Sequence, residues 1–257
     1  MIKELKNKDK ILPRLYEDFV LHVEEISLIE ETYLWYNVTV FVDDENSMNE
    51  FLILHSPSFY WAGKSLSAYM IANKTSTVQK FADILKKKRT WRTHLQTSVE
   101  ASQVKQRMPW LKNTYTVRYC RADSATFEPH CKHKTRVTRL TPENIHKLDP
   151  SASRIPYFVK RLETAPVYGY LNEKEELVAT SGVGFLTRKS FSISYTETKP
   201  EYRNQGIAKC LTSLASEPLI KKGMVGVYAA DVTNPPSLKV AEGLGFQPYL
   251  DLKCFYN

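Results

Sequence analysis

Arg203-Asn204-Gln205-Gly206-Ile207-Ala208 decides the reading of this chain. Upstream, Ser190–Thr198 reads as a strand, and Lys199-Pro200-Glu201-Tyr202 makes a turn. Downstream, Ile207, Leu211 and Leu214 recur at helical spacing. A glycine at a helix entry leaves the first-turn N–H groups bare, and a helix start attracts anions. The segment is therefore suited to a phosphate or pyrophosphate. It is neither the G-x-x-x-x-G-K-[ST] of a nucleotide P-loop nor the G-x-G-x-x-G of a dinucleotide fold. It is Arg-x-x-Gly-x-Ala after a Pro-x-Tyr turn.

A second signature follows. Val225, Val227 and Ala229 alternate as in a strand. Asn234 is a favoured helix cap, Pro235 and Pro236 suit a first turn, and Leu238, Ala241 and Leu244 give the apolar positions. Gly245-Phe246 closes the unit, with the glycine placed to end the helix. The succession strand, Arg-x-x-Gly-x-Ala helix, strand, Asn-x-x-Ser helix, Gly-Phe resembles the GNAT superfamily of acyl-coenzyme A-dependent N-acetyltransferases. The residues that carry it are Pro200, Tyr202, Arg203, Gly206, Ala208, Asn234, Ser237, Val240, Glu242, Gly245 and Phe246. The resemblance spans roughly Thr135 to the C-terminus and explains nothing before it.

The fold expected is α/β, with a GNAT-like mixed β-sheet flanked by helices over residues 113–257. An N-terminal α/β accessory domain is expected over residues 1–112, with the boundary near Pro109–Asn113. In the C-terminal part, Arg136–Arg139 reads as a strand and Thr141-Pro142-Glu143-Asn144 as a helix cap. Pro156–Glu163 reads as helix or loop, and Pro166–Tyr170 with Leu177–Phe185 as a hairpin. In the N-terminal part, Leu12–Ile29, Val78–Lys88 and Thr93–Arg107 read as helices, and Trp35–Val42 and Phe51–His55 as strands. Phe59-Tyr60-Trp61-Ala62-Gly63 is an aromatic cluster better suited to a core than to a ligand. No internal repeat is visible.

Composition narrows the classes. Hydrophobic residues at 42% and aromatics at 12% belong to a globular chain. No apolar run reaches the length of a membrane span, and Met1-Ile2-Lys3-Glu4-Leu5-Lys6 lacks the apolar core of a signal peptide. Cys120, Cys131, Cys210 and Cys254 are scattered, which argues against a disulfide framework and for a cytoplasmic protein. Cys210 reads as a small apolar filler. The net charge of +8 favours anionic partners. Lys86-Lys87-Lys88-Arg89 sits where cations complement a helix end, so nucleic acid is not the favoured partner. His130-Cys131-Lys132-His133 is too tight for a usual zinc knuckle, and no metal is expected.

The resemblance implies acetyl-CoA as cosubstrate and a small-molecule or peptide primary amine as acceptor, joined in a ternary complex. The N–H groups of Gln205, Gly206, Ile207, Ala208 and Lys209 would bind the pyrophosphate. Arg203 and Asn204 belong to the same loop, and Arg203 would either order it or touch phosphate. Main-chain groups around Thr196 and Thr198 would meet the pantetheine amides in an opening between diverging strands. Asn234 and Ser237 would face the same groove. Glu197 is the candidate general base: strict alternation puts it in one row with Phe191, Ile193 and Tyr195, where desolvation raises a carboxylate's pKa. Many relatives carry a tyrosine as general acid where this chain has Ala241, so the proton donor is unassigned. A non-catalytic module binding acyl-CoA or a macromolecule is the alternative, and a homodimer is compatible with either.

Overall fold

The computed structural model describes residues 2–31, 38–55, 66–88, 90–96, 99–111, 113–152 and 156–256. The aromatic cluster 59–63 and the start of the strand expected from Trp35 lie outside the described residues. The chain forms two compact units, each discontinuous in sequence. The first comprises Met1–Asp18, Leu28–Val117 and Asp251–Asn257, and the second Phe19–Ser27 and Arg118–Leu250.

The elements in chain order begin with β1 (Lys3–Glu4), α1 (Leu12–Tyr16), α2 (Val23–Glu30), β2 (Val38–Val42), β3 (Phe51–His55) and β4 (Leu66–Ile71). Then come α3 (Thr75–Lys88), β5 (Thr90–Gln96), α4 (Ala101–Arg107) and β6 (Asn113–Ala122). The remainder is β7 (Val137–Arg139), α5 (Pro142–Leu148), α6 (Pro156–Thr164), β8 (Val167–Leu171), β9 (Leu177–Leu186) and β10 (Ser190–Thr198). It ends with α7 (Ile207–Ile220), β11 (Val225–Asp231), α8 (Pro235–Glu242) and β12 (Gln247–Tyr256).

This list is one order of elements given twice. Strand, two helices, three strands, helix, strand, helix, strand describes β1 to β6 and again β7 to β12. The pairing repeats too. The pairs β1–β2, β2–β3 and β3–β4 are antiparallel and β4–β5 is parallel. Likewise β7–β8, β8–β9 and β9–β10 are antiparallel and β10–β11 is parallel. The strand that completes each run comes from the other half of the sequence. In the first unit the end of β12 lies beside β5, with Cys254, Phe255 and Tyr256 opposite His94, Thr93 and Arg92. In the second unit β6 lies beside β11.

The expectation of no repeat is thus corrected, and so is the helix over Thr93–Arg107. Those residues are the end of β5 followed by the shorter α4. Non-local pairing with β4 and β12 overrides the local helical pattern there.

The two α/β crossovers differ at one decisive place. Between β4 and α3 only Ala72-Asn73-Lys74 intervene, and the buried Glu50 carboxylate fills that turn. Its Oε1 accepts from the main-chain N–H of Asn73 (2.7 Å) and Lys74 (2.8 Å), and its Oε2 from the Thr77 hydroxyl (2.7 Å). The chain supplies its own anion to the start of α3. Between β10 and α7 eight residues, Lys199–Gly206, intervene, and no side chain caps the helix.

In the second unit α7 buries Ile207, Cys210, Leu211, Ala215 and Leu219 on the sheet, a spacing that keeps one helix face inward. Full burial of a leucine such as Leu211 contributes about 2 kcal/mol, which fixes the helix axis and with it the direction of the helix start. The cap expected for α5 is present: Thr141 accepts from Asn144 N–H at 3.3 Å, and Asn144 Oδ1 accepts from Thr141 N–H at 2.9 Å.

Removing the Glu50 carboxylate leaves three donors without their acceptor. Glu50→Ala is expected to destabilise the fold by about 3 kcal/mol, the range for buried hydrogen bonds to a charged group. A urea unfolding curve checks this, and an unchanged midpoint would contradict the role given to Glu50.

Candidate active site

The loop Lys199–Gly206 is held in shape before α7 begins. Tyr202 N–H and Arg203 N–H close the turn onto Lys199 and Pro200 carbonyls at 2.9 and 3.2 Å. Arg203 Nε donates to the Thr198 carbonyl at 3.0 Å, tying the loop to the end of β10. Of the two roles left open for Arg203, this bond is the loop-ordering one. Asn204 (φ 61°) and Gly206 (φ 77°) are left-handed, a conformation that costs little only for glycine and, to a lesser degree, asparagine. Gly206 is the N-cap of α7, and a Cβ built on it would meet nothing within 4 Å. The helix start therefore opens onto free space. The first-turn N–H groups of Ile207, Ala208 and Lys209 have no acceptor within the helix.

One more residue shapes this cradle, and the sequence reading missed it. His133 Nε2–H donates to the Gln205 carbonyl at 2.7 Å, and its ring meets Tyr170 edge-on at 5.8 Å. C=O and N–H of a trans peptide point in opposite directions, so this bond turns Gly206 N–H away from the ring. Neighbouring contacts fix His133 in turn. His130 N–H donates to Ser213 Oγ at 2.9 Å. Cys131 forms a disulfide with Cys210 in the first turn of α7. That bond corrects the reading of Cys210 as an apolar filler, since a separation of 79 residues carries no pairing signal. Cations gather here: Lys209 first, then burial, Lys132 and His133, hold His130 below its usual imidazole range. An anion is the charge this surface lacks.

β10 supplies the other wall. Its parallel ladder with β11 ends at Ile193 opposite Tyr228, although β10 runs on to Thr198 and β11 to Asp231. Beyond that pair the two strands part. The edge facing β9 is also irregular. Ser194 pairs with Gly182 and Glu197 with Thr180, so one extra residue is bulged out, and Tyr195 is left-handed at φ 58°. The bulge takes Tyr195 out of the regular ladder, and its carbonyl accepts from the Thr180 hydroxyl at 2.7 Å.

The bulge overturns the alternation argument for Glu197. It places Glu197 on the face of Ser194 instead of the apolar row, and the carboxylate is exposed. Tyr195 packs on Phe158 at 5.0 Å, in the cluster of Leu140, Ile145 and Leu162. A row of hydroxyls lies behind the bulge: Thr196 with Ser181 at 2.9 Å, and Ser181 with Thr212 at 2.8 Å.

The third wall is α8. Asn234 caps it, accepting from Ser237 N–H at 3.3 Å. The Ser237 hydroxyl meets the Tyr228 hydroxyl at 3.0 Å. Gly245 is required where α8 ends, because a Cβ there would lie 1.9 Å from the Thr126 carbonyl oxygen. Thr196, Thr198, Arg203–Lys209, Asn234 and Ser237 thus all belong to the second unit. Among the described residues no group of three or more His, Cys, Asp or Glu could hold a metal ion. Nor is any helix among them long and apolar enough to cross a membrane.

The sequence model of the GNAT acetyltransferase family matches residues 25–255. The chain belongs to that family, and the match begins far upstream of the Thr135 limit read from the motifs. Among solved structures, a Drosophila protein is similar over 100% of this chain and 98% of its own, with a TM-score of 0.69 at 12% identity. A GCN5-related N-acetyltransferase-like protein from Streptococcus suis is similar over 95% and 96%, with a TM-score of 0.63 at 17% identity. A tandem GNAT protein from the clavulanic acid biosynthesis pathway is similar over 100% and 98%, with a TM-score of 0.60 at 11% identity. These likenesses show the fold. No curated protein matches the chain.

The disulfide gives a direct count. Cys120 and Cys254 are the free cysteines. Thiol titration of the denatured protein is expected to give two groups per chain before reduction and four after. Four before reduction would remove the tether, and two would favour a less reducing setting than the cytoplasm expected from sequence.

Proposed function

We propose that this chain moves an acetyl group from acetyl-CoA to a primary amine by direct attack within a ternary complex. The observation that carries this reading is the uncapped start of α7, where the place of a Gly206 Cβ is open space. The N–H groups of Gln205 to Lys209 hold the pyrophosphate, with Asn204 shaping the loop and Arg203 ordering it. The pantetheine arm enters where β10 and β11 part, meeting main-chain groups near Thr196 and Thr198. Asn234 and Ser237 flank it from α8. Family membership supports acyl transfer in general, and the remainder of the assignment rests on this geometry.

Glu197 is kept as the proposed base, acting through water because it is exposed. The N-terminal part, residues 1–112, is proposed as an accessory repeat, since Glu50 takes the anion position at its helix start. The acceptor is a small molecule or peptide presenting a neutral amine. An acidic or neutral acceptor suits a chain of net charge +8 better than a polycation does.

Release of free thiol from acetyl-CoA, followed across a panel of amines, tests the reading. The wild type is expected to turn over at least one acceptor. Gly206→Ala is expected to weaken acetyl-CoA binding about tenfold, by placing a methyl where the phosphate approaches and straining a left-handed residue. Glu197→Gln is expected to lower kcat about a hundredfold, the lower end for loss of a general base, with KM for acetyl-CoA unchanged. Stabilisation by CoA with no thiol released from any acceptor would favour the non-catalytic module instead.

A further inference from the structure

The residue expected to donate the proton to the leaving thiolate is absent at Ala241, which is wholly buried. Tyr228 belongs to the same buried cluster as Ala241 and Leu244, with its ring against Phe246 at 5.9 Å. We propose that Tyr228 is the general acid of the acetyl transfer, delivering its phenolic proton to the departing sulfur. This rests on the acetyltransferase reading above.

Three features of its position carry the assignment. Tyr228 is the β11 member of the last β10–β11 pair, so it stands at the point where the strands part. Its hydroxyl is bonded to Ser237 Oγ at 3.0 Å in the first turn of α8, with the Thr196 hydroxyl at the β10 bulge as a second partner. The phenol thus joins both walls of the opening at the level where β10 is irregular. It also reaches α8 one turn before Ala241, from the strand side instead of from the helix. The side chain is 3% exposed, and burial, opposed by the bonds to Ser237 and Thr196, pushes the phenol above its usual value. It therefore keeps its proton at neutral pH, as an acid must.

The step balances. The amine nitrogen bonds to the thioester carbon and the carbonyl pair moves to oxygen. When the C=O re-forms, the C–S bond breaks and its electron pair on sulfur takes the Tyr228 proton. The attacking amine gives up one proton to water at Glu197. The phenolate recovers one from solvent through the Ser237 hydroxyl, which is only half-buried. One N–H is lost and one S–H gained, with no further reagent.

Tyr228→Phe removes only the hydroxyl and keeps the ring in its cluster. The expected result is a fall in kcat of about a hundredfold, with KM for acetyl-CoA and Tm close to wild type. The solvent deuterium isotope effect on kcat should change with it. A role in packing alone would lower Tm or leave kcat and the isotope effect untouched. Replacing Tyr228 with a fluorinated tyrosine, whose phenol is more acidic, should restore turnover and bring its alkaline limb to lower pH. An active wild type matched within twofold by Tyr228→Phe overturns this role alone. A wild type that releases no thiol with any amine overturns the parent reading and this role together.

Discussion

Main-chain N–H groups at a helix start have no partner inside the helix and must be given an anion, a side chain or water. The two units of this protein answer that demand in opposite ways. In the first, the turn before α3 is three residues long and the Glu50 carboxylate is built into it. In the second, eight residues and two left-handed positions hold the start of α7 open, and no side chain closes it. One scaffold, used twice, therefore yields one helix start left without a side-chain partner. Neighbouring contacts hold that start in shape. Arg203 ties the loop to β10, His133 sets the peptide before Gly206, and Cys131 anchors that histidine to α7.

The adjoining opening has a separate cause. Parallel strands stay paired only while their hydrogen-bond registers agree, and the bulge at Tyr195 breaks the regular run of β10. The ladder with β11 stops at Tyr228. Two neighbouring elements thereby supply unlike resources: the loop gives a positive helix start, and the parted strands border a buried phenol. The proposed acetyl-CoA, a thioester carried on a diphosphate, would use both, at the two ends of one elongated molecule.

Much of the second unit was legible because its signals are local. The Arg203–Ala208 turn, the Asn234 cap and the strand over Ser190–Thr198 are each set within a few residues, and the elements lie where those patterns put them. What escaped the sequence is non-local. The repeat is written in element order and pairing, with no shared motif for comparison to find. β5 was misread because its partners, β4 and β12, lie far off in the chain. The strict pleat assumed for Glu197 failed at a bulge that no residue type announces. His133 and Cys131 were noticed only as unconvincing metal ligands, since their partners Gln205 and Cys210 lie more than seventy residues away.

Calorimetric titration of the intact protein with CoA tests the central claim most directly. One open helix start and one filled by Glu50 predict saturation at one equivalent per chain. Two equivalents would contradict the closure of the first unit. The absence of any binding heat across temperatures would contradict the cradle itself.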